Sequence, residues 1–228
     1  MTGVLADQAG KPGPDRPAAA SGAGRAVGGA GPKGEAIAAA ALRLFLRDGY
    51  ERTSVDAIAA EAGVSKRTIY NRYGDKENLF LSVLMETSAA MLAAFGRIAD
   101  AHLGEITDVQ ADLTAFARDV AINVLQAPER IAMTRLMMAE APYFPALLRA
   151  QMRPQTMTST IARALARLAE AGWLEIADPI EAADHLSALT FGQINNKSMF
   201  GAVPVSEADI ERMVTGGVAA FVRAYRPA

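Results

Sequence analysis

Residues 53–80 read TSVDAIAAEAGVSKRTIYNRYGDKENLF, and the fold turns on how this stretch is punctuated. Thr53-Ser54-Val55-Asp56 has the form of a capping box, after which Val55, Ile58, Ala59 and Ala62 return on one face of a helix. Gly63 ends that helix, because the residue after a helix terminus takes a left-handed conformation that costs glycine nothing. Ser65 then caps a third, short helix in which Ile69 and Tyr73 face inward. Two helices crossing over a tight turn need a small residue at the crossing, a glycine in the turn and an apolar plug behind it. Ala59, Gly63 and Val64 occupy those offsets, so the spacing predicts a helix-turn-helix. The second helix of such a unit enters the major groove of DNA, and here it would offer Lys66, Arg67, Thr68, Tyr70 and Asn71.

The overall charge gives no hint of a polyanion partner. The chain has 228 residues, a net charge of −2 and an isoelectric point near 5.8. Residues 65–76 nevertheless hold Lys66, Arg67, Arg72 and Lys76 against the single acid Asp75. Phosphate responds to the charge at the contact, so a local surplus suffices. Lys66 and Arg67 are the stronger candidates for DNA contact, and Arg72 is balanced between contact and a solvated helix face.

Working outward, the pattern is helical from Gly34 onward. Ile37, Ala41, Leu44 and Phe45 share a face, and Asp48-Gly49 stops that helix. Asp75 caps a long fourth helix through Leu79, Val83 and Leu84. Further helices are expected over residues 106–126 and from Pro128 to about Ala141. After Pro142 and Pro145 another runs to Ala171, with Pro154 breaking or kinking it. Asp178-Pro179 opens a helix to about Phe200, and the capping box Ser206-Glu207-Ala208-Asp209 opens the last. No segment alternates with period two, so the fold class is all-α. Residues 1–32, rich in Gly, Ala and Pro, read as a disordered tail, either solvated with no specific role or able, through Lys11, Arg16, Arg25 and the adjoining Lys33, to brush DNA non-specifically. The domains expected are that tail, a DNA-binding domain over 33–80 and a larger helical domain over 81–226, for which the resemblance given below implies ligand binding and dimerisation.

Composition excludes several chemistries. There is no cysteine, so disulfides, thiolate nucleophiles and Cys-type zinc sites are ruled out. His102 and His185 stand apart from each other and from any acidic cluster of ligand spacing, so no metal, cofactor or catalytic set is expected. The apolar run AIAAAALRLFL is interrupted by Arg43 and too short for a membrane span, and no signal peptide is evident. A cytoplasmic location without membrane attachment is the expectation.

The stretch AALRLFLRDGYERTSVDAIAAEAGVSKRTIYNRYGDKENLF resembles the DNA-binding domain of the tetracycline-repressor (TetR) family of bacterial transcriptional regulators. Members commonly follow the tyrosine with two aromatic or histidine residues, whereas this chain has Asn71 and Arg72. The resemblance implies that Thr53 caps the second helix against the DNA backbone, that Lys76 reaches a phosphate and that Tyr70 lies on the backbone or a thymine methyl. The candidate DNA-contacting set is thus Thr53, Ser65, Lys66, Arg67, Thr68, Tyr70, Asn71 and Lys76. From Arg135 to Gly172, with AEAPYFPALL inside, and on through WLEIADPIEAADHL, the chain is similar to AefR-like regulatory domains of the same family. That implies a ligand cavity and a homodimer built on the last two long helices, about 179–200 and 206–225. Small residues there (Ala183, Ser187, Ala188, Gly192, Gly216, Gly217) would admit either a dimer partner or close packing within one chain. Met133 and Met137, with Gln193 and Asn196, are candidates for the pocket lining, though methionine at helical spacing also serves as core filler, and Gln193, Asn195 and Asn196 could equally line a cavity, meet a partner subunit or face water.

The function expected is a dimeric, sequence-specific repressor, released from an inverted-repeat operator in double-stranded DNA by an unidentified small molecule. The alternatives are an all-α binding protein or enzyme whose helix-turn-helix is incidental, and a protein-binding adaptor.

Overall fold

Ile37, Ala40, Ala41, Leu44 and Phe45 recur every three to four residues, and in the computed structural model they form the buried face of α1 (Pro32–Arg52). The structure describes residues 31–144 and 156–227. Nearly all of the expected tail lies outside them, as do Pro145 and Pro154. Gly49, at φ 80° and ψ 172°, breaks the helical backbone near the end of α1. The break falls where Asp48-Gly49 called for a stop, and it swings Tyr50 into the core.

The next helix starts one residue later than its sequence suggests. Ser54, not Thr53, caps α2 (Val55–Ala62), accepting a hydrogen bond from the Ala57 amide at 3.1 Å. Thr53 is 3% exposed, and its hydroxyl is shared between the Leu44 and Gly49 carbonyls at 3.2 and 2.8 Å. The kink at Gly49 leaves those carbonyls short of helical donors, and Thr53 supplies one. Gly63 caps α2 in the left-handed region (φ 65°, ψ 32°). Ser65 caps α3 (Lys66–Tyr73) and Asp75 caps α4 (Lys76–Leu103), each accepting from the amide three residues on.

α5 (Val109–Val120) begins three residues after the expected Ile106. Asp108 caps it, and the Asp112 carboxylate takes the amides of Thr107 and Asp108, which holds those two residues outside the helix. A π-helical turn, Ala121–Leu125, carries the chain on to α6 (Pro128–Glu140). α7 (Met157–Glu170) starts at a reciprocal capping box between Thr156 and Ser159. α8 (Pro179–Ser187) passes through a second π turn, Ala188–Gly192, into α9 (Gln193–Lys197), and α10 (Glu207–Ala224) follows a loop. Every regular element among the described residues is helical, as expected.

Two apolar clusters result. The first gathers α1, α2, α3 and the N-terminal part of α4, together with Met133 and Leu136 of α6 and Phe144 just beyond it. Within it, Phe45, Tyr50, Phe80 and Phe144 form a ring cluster with centroid separations of 4.8–4.9 Å along the chain of contacts 45–80–50–144. The second cluster gathers the C-terminal part of α4 with α5, α7, α8, α9 and α10 around Phe95, Phe116, Leu165, Leu186 and Phe221. α4 is long and apolar enough to cross a bilayer by length and composition, although the run singled out in the sequence was AIAAAALRLFL of α1. Its buried apolar residues are divided between the two clusters: Leu79, Phe80, Val83 and Leu84 enter the first, and Phe95, Ala99 and Leu103 the second.

Candidate nucleic-acid interface

α3 is short, and its two faces are sharply distinguished. Ile69 and Tyr73, four residues apart, are buried at 1% and 8% exposure and fasten the helix to the core. Lys66, Arg67, Tyr70 and Asn71 are exposed on the opposite side, with Tyr70 at 42%. Ser65 is exposed but occupied: its hydroxyl caps the helix and pairs with the Thr68 hydroxyl at 2.8 Å. Thr68 is half-buried. The Lys66 ammonium donates to the Asp56 carboxylate of α2 at 2.9 Å, and that hydrogen bond raises the lysine pKa. Asp56 therefore aims Lys66 in the free protein and must share it with any incoming phosphate.

The remaining candidates are spread around this face. Lys76, in the first turn of α4, lies 4.2 Å from the Tyr50 ring centroid and donates to the Glu51 carbonyl at 3.3 Å. It marks the corner between α1 and α2 and not the outer face of α3. Thr53, buried as described, spends its hydroxyl on closing the end of α1.

Arg72 also turns away. Its guanidinium lies 5.7 Å from the Tyr73 ring centroid, and a Cβ placed on Gly34 would come within 2.6 Å of its Cζ. The Arg72 Nε is buried without a hydrogen-bond partner among the described residues. Arg72 thus packs under the start of α1, and the basic surface of α3 reduces to Lys66 and Arg67.

The second candidate region is a cleft of about 130 Å³ beside α6. It is lined by Arg130, Ile131 and Thr134 of α6, by Leu125 of the first π turn, and by Asn195, Phe200 and Gly201 from the end of α9 and its following turn. None of Met133, Met137, Gln193 and Asn196 lines it. Met133 is buried at 1% exposure and, with Met137 beside it, packs into the first cluster. Gln193 and Asn196 are exposed, and the Gln193 amide donates to the Leu189 carbonyl at 2.6 Å. The cause is the phase of α6, whose Met133, Leu136 and Met137 face the helix-turn-helix while the interleaved Arg130, Ile131 and Thr134 face the cleft.

Family models match in both halves of the chain. The model for bacterial regulatory proteins of the tetR family matches residues 37–83, and that for the C-terminal domain of AefR-like transcriptional repressors matches residues 111–227. This chain belongs to the TetR family.

A solved Mesorhizobium loti protein described as a TetR-family transcriptional regulator is 31% identical, with a TM-score of 0.79 over 86% of this chain and 97% of that one. The flavonoid-responsive regulator FrrA is 30% identical, with a TM-score of 0.67 over 86% of this chain and 97% of its own. Among curated proteins, the DNA-binding transcriptional repressor TetR of Mycobacteroides abscessus is 31% identical over 133 residues, 58% of each chain. The chain thus spans little more than half the length of that curated relative.

Within this TetR-family chain, sequence reading missed Asp56 as the partner of Lys66 and Arg130 as the charged residue of the cleft. Asp56 had a signal, since an acid in the first turn of α2 can reach the start of a helix crossing it. Arg130 had none, because its setting depends on a turn about seventy residues away. The two histidines have local partners: His102 pairs with Asp119 at 2.9 Å, and His185 with the Tyr225 hydroxyl at 2.6 Å.

Proposed function

We propose that this protein is a homodimeric, cytoplasmic repressor that binds an inverted-repeat operator through α3 and is released by a small-molecule effector. The observation that carries this reading is the exposed quartet Lys66, Arg67, Tyr70 and Asn71 on a helix locked from behind by Ile69 and Tyr73. A helix held so rigidly can present side chains to base edges and phosphates without ordering cost at the moment of binding. Ser65 and Thr68, joined to each other, and Lys76 at the neighbouring corner belong to the rim of this surface. Two copies related by a two-fold axis would read successive major-groove faces.

The proposed dimer surface is formed by α8, α9 and α10. Of the small residues there, Ala183 and Gly217 are buried within the chain, while Ala188 and Gly216 remain exposed and available to a partner. Effector response would run through α6. One face of that helix lines the cleft, the other enters the first cluster, and near its end Glu140 accepts the Tyr50 amide at 3.3 Å beside the kink in α1. A ligand shifts such an equilibrium only by its differential affinity for the two arrangements. No observation favours an enzyme or an adaptor over this reading.

Selection of genomic DNA fragments with the purified protein, followed by titration at several salt concentrations, tests it. An inverted repeat should be recovered. Lys66→Ala with Arg67→Ala should weaken binding and flatten the salt dependence by about two per recognition helix, with the melting curve unchanged. Asp56→Asn should move affinity the other way, since it frees Lys66 for phosphate. Recovery of no repeat, or unchanged affinity in the double variant, would sink the proposal.

A further inference from the structure

Arg130 contrasts with the cations of the described residues that meet carboxylates. Arg43, Arg47, Arg118, Lys197 and Arg212 lie at the surface, and each is paired with a carboxylate. Arg130 is half-buried in the cleft, burial alone lowers its pKa, and no acidic residue lines the cleft among the described residues. Removing a guanidinium from water without a counter-charge is costly, and the cost is recovered when an anion arrives. The rest of the lining tells which kind of anion. Leu125, Ile131 and the ring of Phe200 offer apolar walls, and the Asn195 amide is the neighbouring polar group. Thr134 already donates its hydroxyl to the Arg130 carbonyl at 2.9 Å, so it has only acceptor capacity left.

The wall that carries Phe200 is held by an unusual turn. Met199, Phe200 and Gly201 have φ of 47°, 54° and 81°, three successive residues in a region that side chains other than glycine seldom adopt. At Gly201 a Cβ would lie 2.6 Å from Ile131 Cγ2, so the turn rests its bare backbone on α6. The strain is thus maintained by a packing contact that sets Phe200 at the edge of the cleft.

We infer that this cleft binds a small organic monoanion, a carboxylate with an apolar body, its carboxylate on Arg130 and Asn195 and its body against Leu125, Ile131 and Phe200. The inference rests on the reading of the chain as an effector-responsive regulator and names the chemical class of the effector. A planar guanidinium matches a carboxylate in two parallel hydrogen bonds. With one cation among the described lining residues, a phosphate dianion would stay half-neutralised. A volume near 130 Å³ suits a single ring or a short chain.

Calorimetric titration of the full-length protein, without DNA, tests this with benzoate and octanoate as probes. Benzamide and octanol serve as neutral controls of matching shape, and inorganic phosphate as the anion without an apolar body. At least one carboxylate should bind at least tenfold more tightly than its neutral analogue and than phosphate. Arg130→Gln should remove at least tenfold of that affinity, Arg130→Lys should restore part of it, and Phe200→Ala should weaken octanoate and benzoate but not phosphate. Equal affinity in Arg130→Gln, equal binding of the neutral analogues, tighter binding of phosphate, or no binding of either carboxylate at millimolar concentration would each overturn the inference. Should Arg130→Gln fail to fold, the wild-type contrast between benzoate and benzamide still decides. Operator affinity is measured separately, so a carboxylate that binds at Arg130 without releasing DNA would retain the site and remove the regulatory reading.

Discussion

The Thr53 hydroxyl holds the junction on which the reading helix is mounted. Buried and shared between the Leu44 and Gly49 carbonyls, it closes α1 where Gly49 breaks the ladder. Thr53→Val keeps the shape and removes the donor, so urea denaturation should show a loss of about 1–3 kcal/mol. Ser54→Ala, which deletes the α2 cap, should cost about 1 kcal/mol. If Thr53→Val were neutral in stability yet weakened DNA binding, the backbone-contact role implied by family resemblance would be restored. Single residues were legible in sequence where a local rule governed them, as with the caps Ser65 and Asp75 and the turn at Gly63. Arg72 was not, because its burial depends on Gly34, which approaches from the start of another helix.

Among the elements, the approach of α10 to the second π turn sets the tightest limit. A Cβ on Gly217 would sit 2.2 Å from the Leu189 carbonyl oxygen, a backbone atom that cannot step aside. Thr190, whose hydroxyl reaches back to the Leu186 carbonyl at 2.7 Å, helps fix that turn. Gly217→Ala should therefore force the helices apart and cost about 1–3 kcal/mol, seen as a lower urea midpoint. Its neighbour Gly216 has open space around it, and Gly216→Ala should leave the protomer fold intact and gain up to about 1 kcal/mol of helix propensity. The sequence could mark both glycines as unusual, but only the packing separates them. The same holds for α6: periodicity identified Met133 and Met137 as apolar positions, yet it carries no information about which of two cores they enter. The strongest expectations, the helix-turn-helix and the all-α class, concerned segments whose caps, period and turn glycine agreed with one another.

For the whole molecule, a charged cluster ties the C-terminal helices together. Asp209, near the start of α10, is held by Lys197 at the end of α9, by Arg212 and by the Ser206 cap, which together pull its pKa from the usual 3.8 to about 2. A carboxyl that ionises more readily when folded stabilises the fold fully above its unfolded pKa and ceases to do so as pH falls through its folded one. Asp209→Asn should thus lower the melting temperature near pH 6, and its difference from the parent should narrow between about pH 4 and pH 2. Because the cluster is exposed, added salt should narrow that difference as well. A gap that stayed constant across this range would assign the effect to something other than charge.

The placing of Met133, Leu136 and Phe144 in the first cluster has a bearing on protein engineering. A reading head cut at residue 80 would leave Phe45, Tyr50 and Phe80 without the Phe144 ring and without Val83 and Leu84. Such a fragment should be largely unfolded by circular dichroism. Exchange of heads between relatives would then succeed only when the donor's matching face of α6 travels with them. Operator choice and effector response are consequently not freely interchangeable parts here: a new head must bring along the surface that supports it.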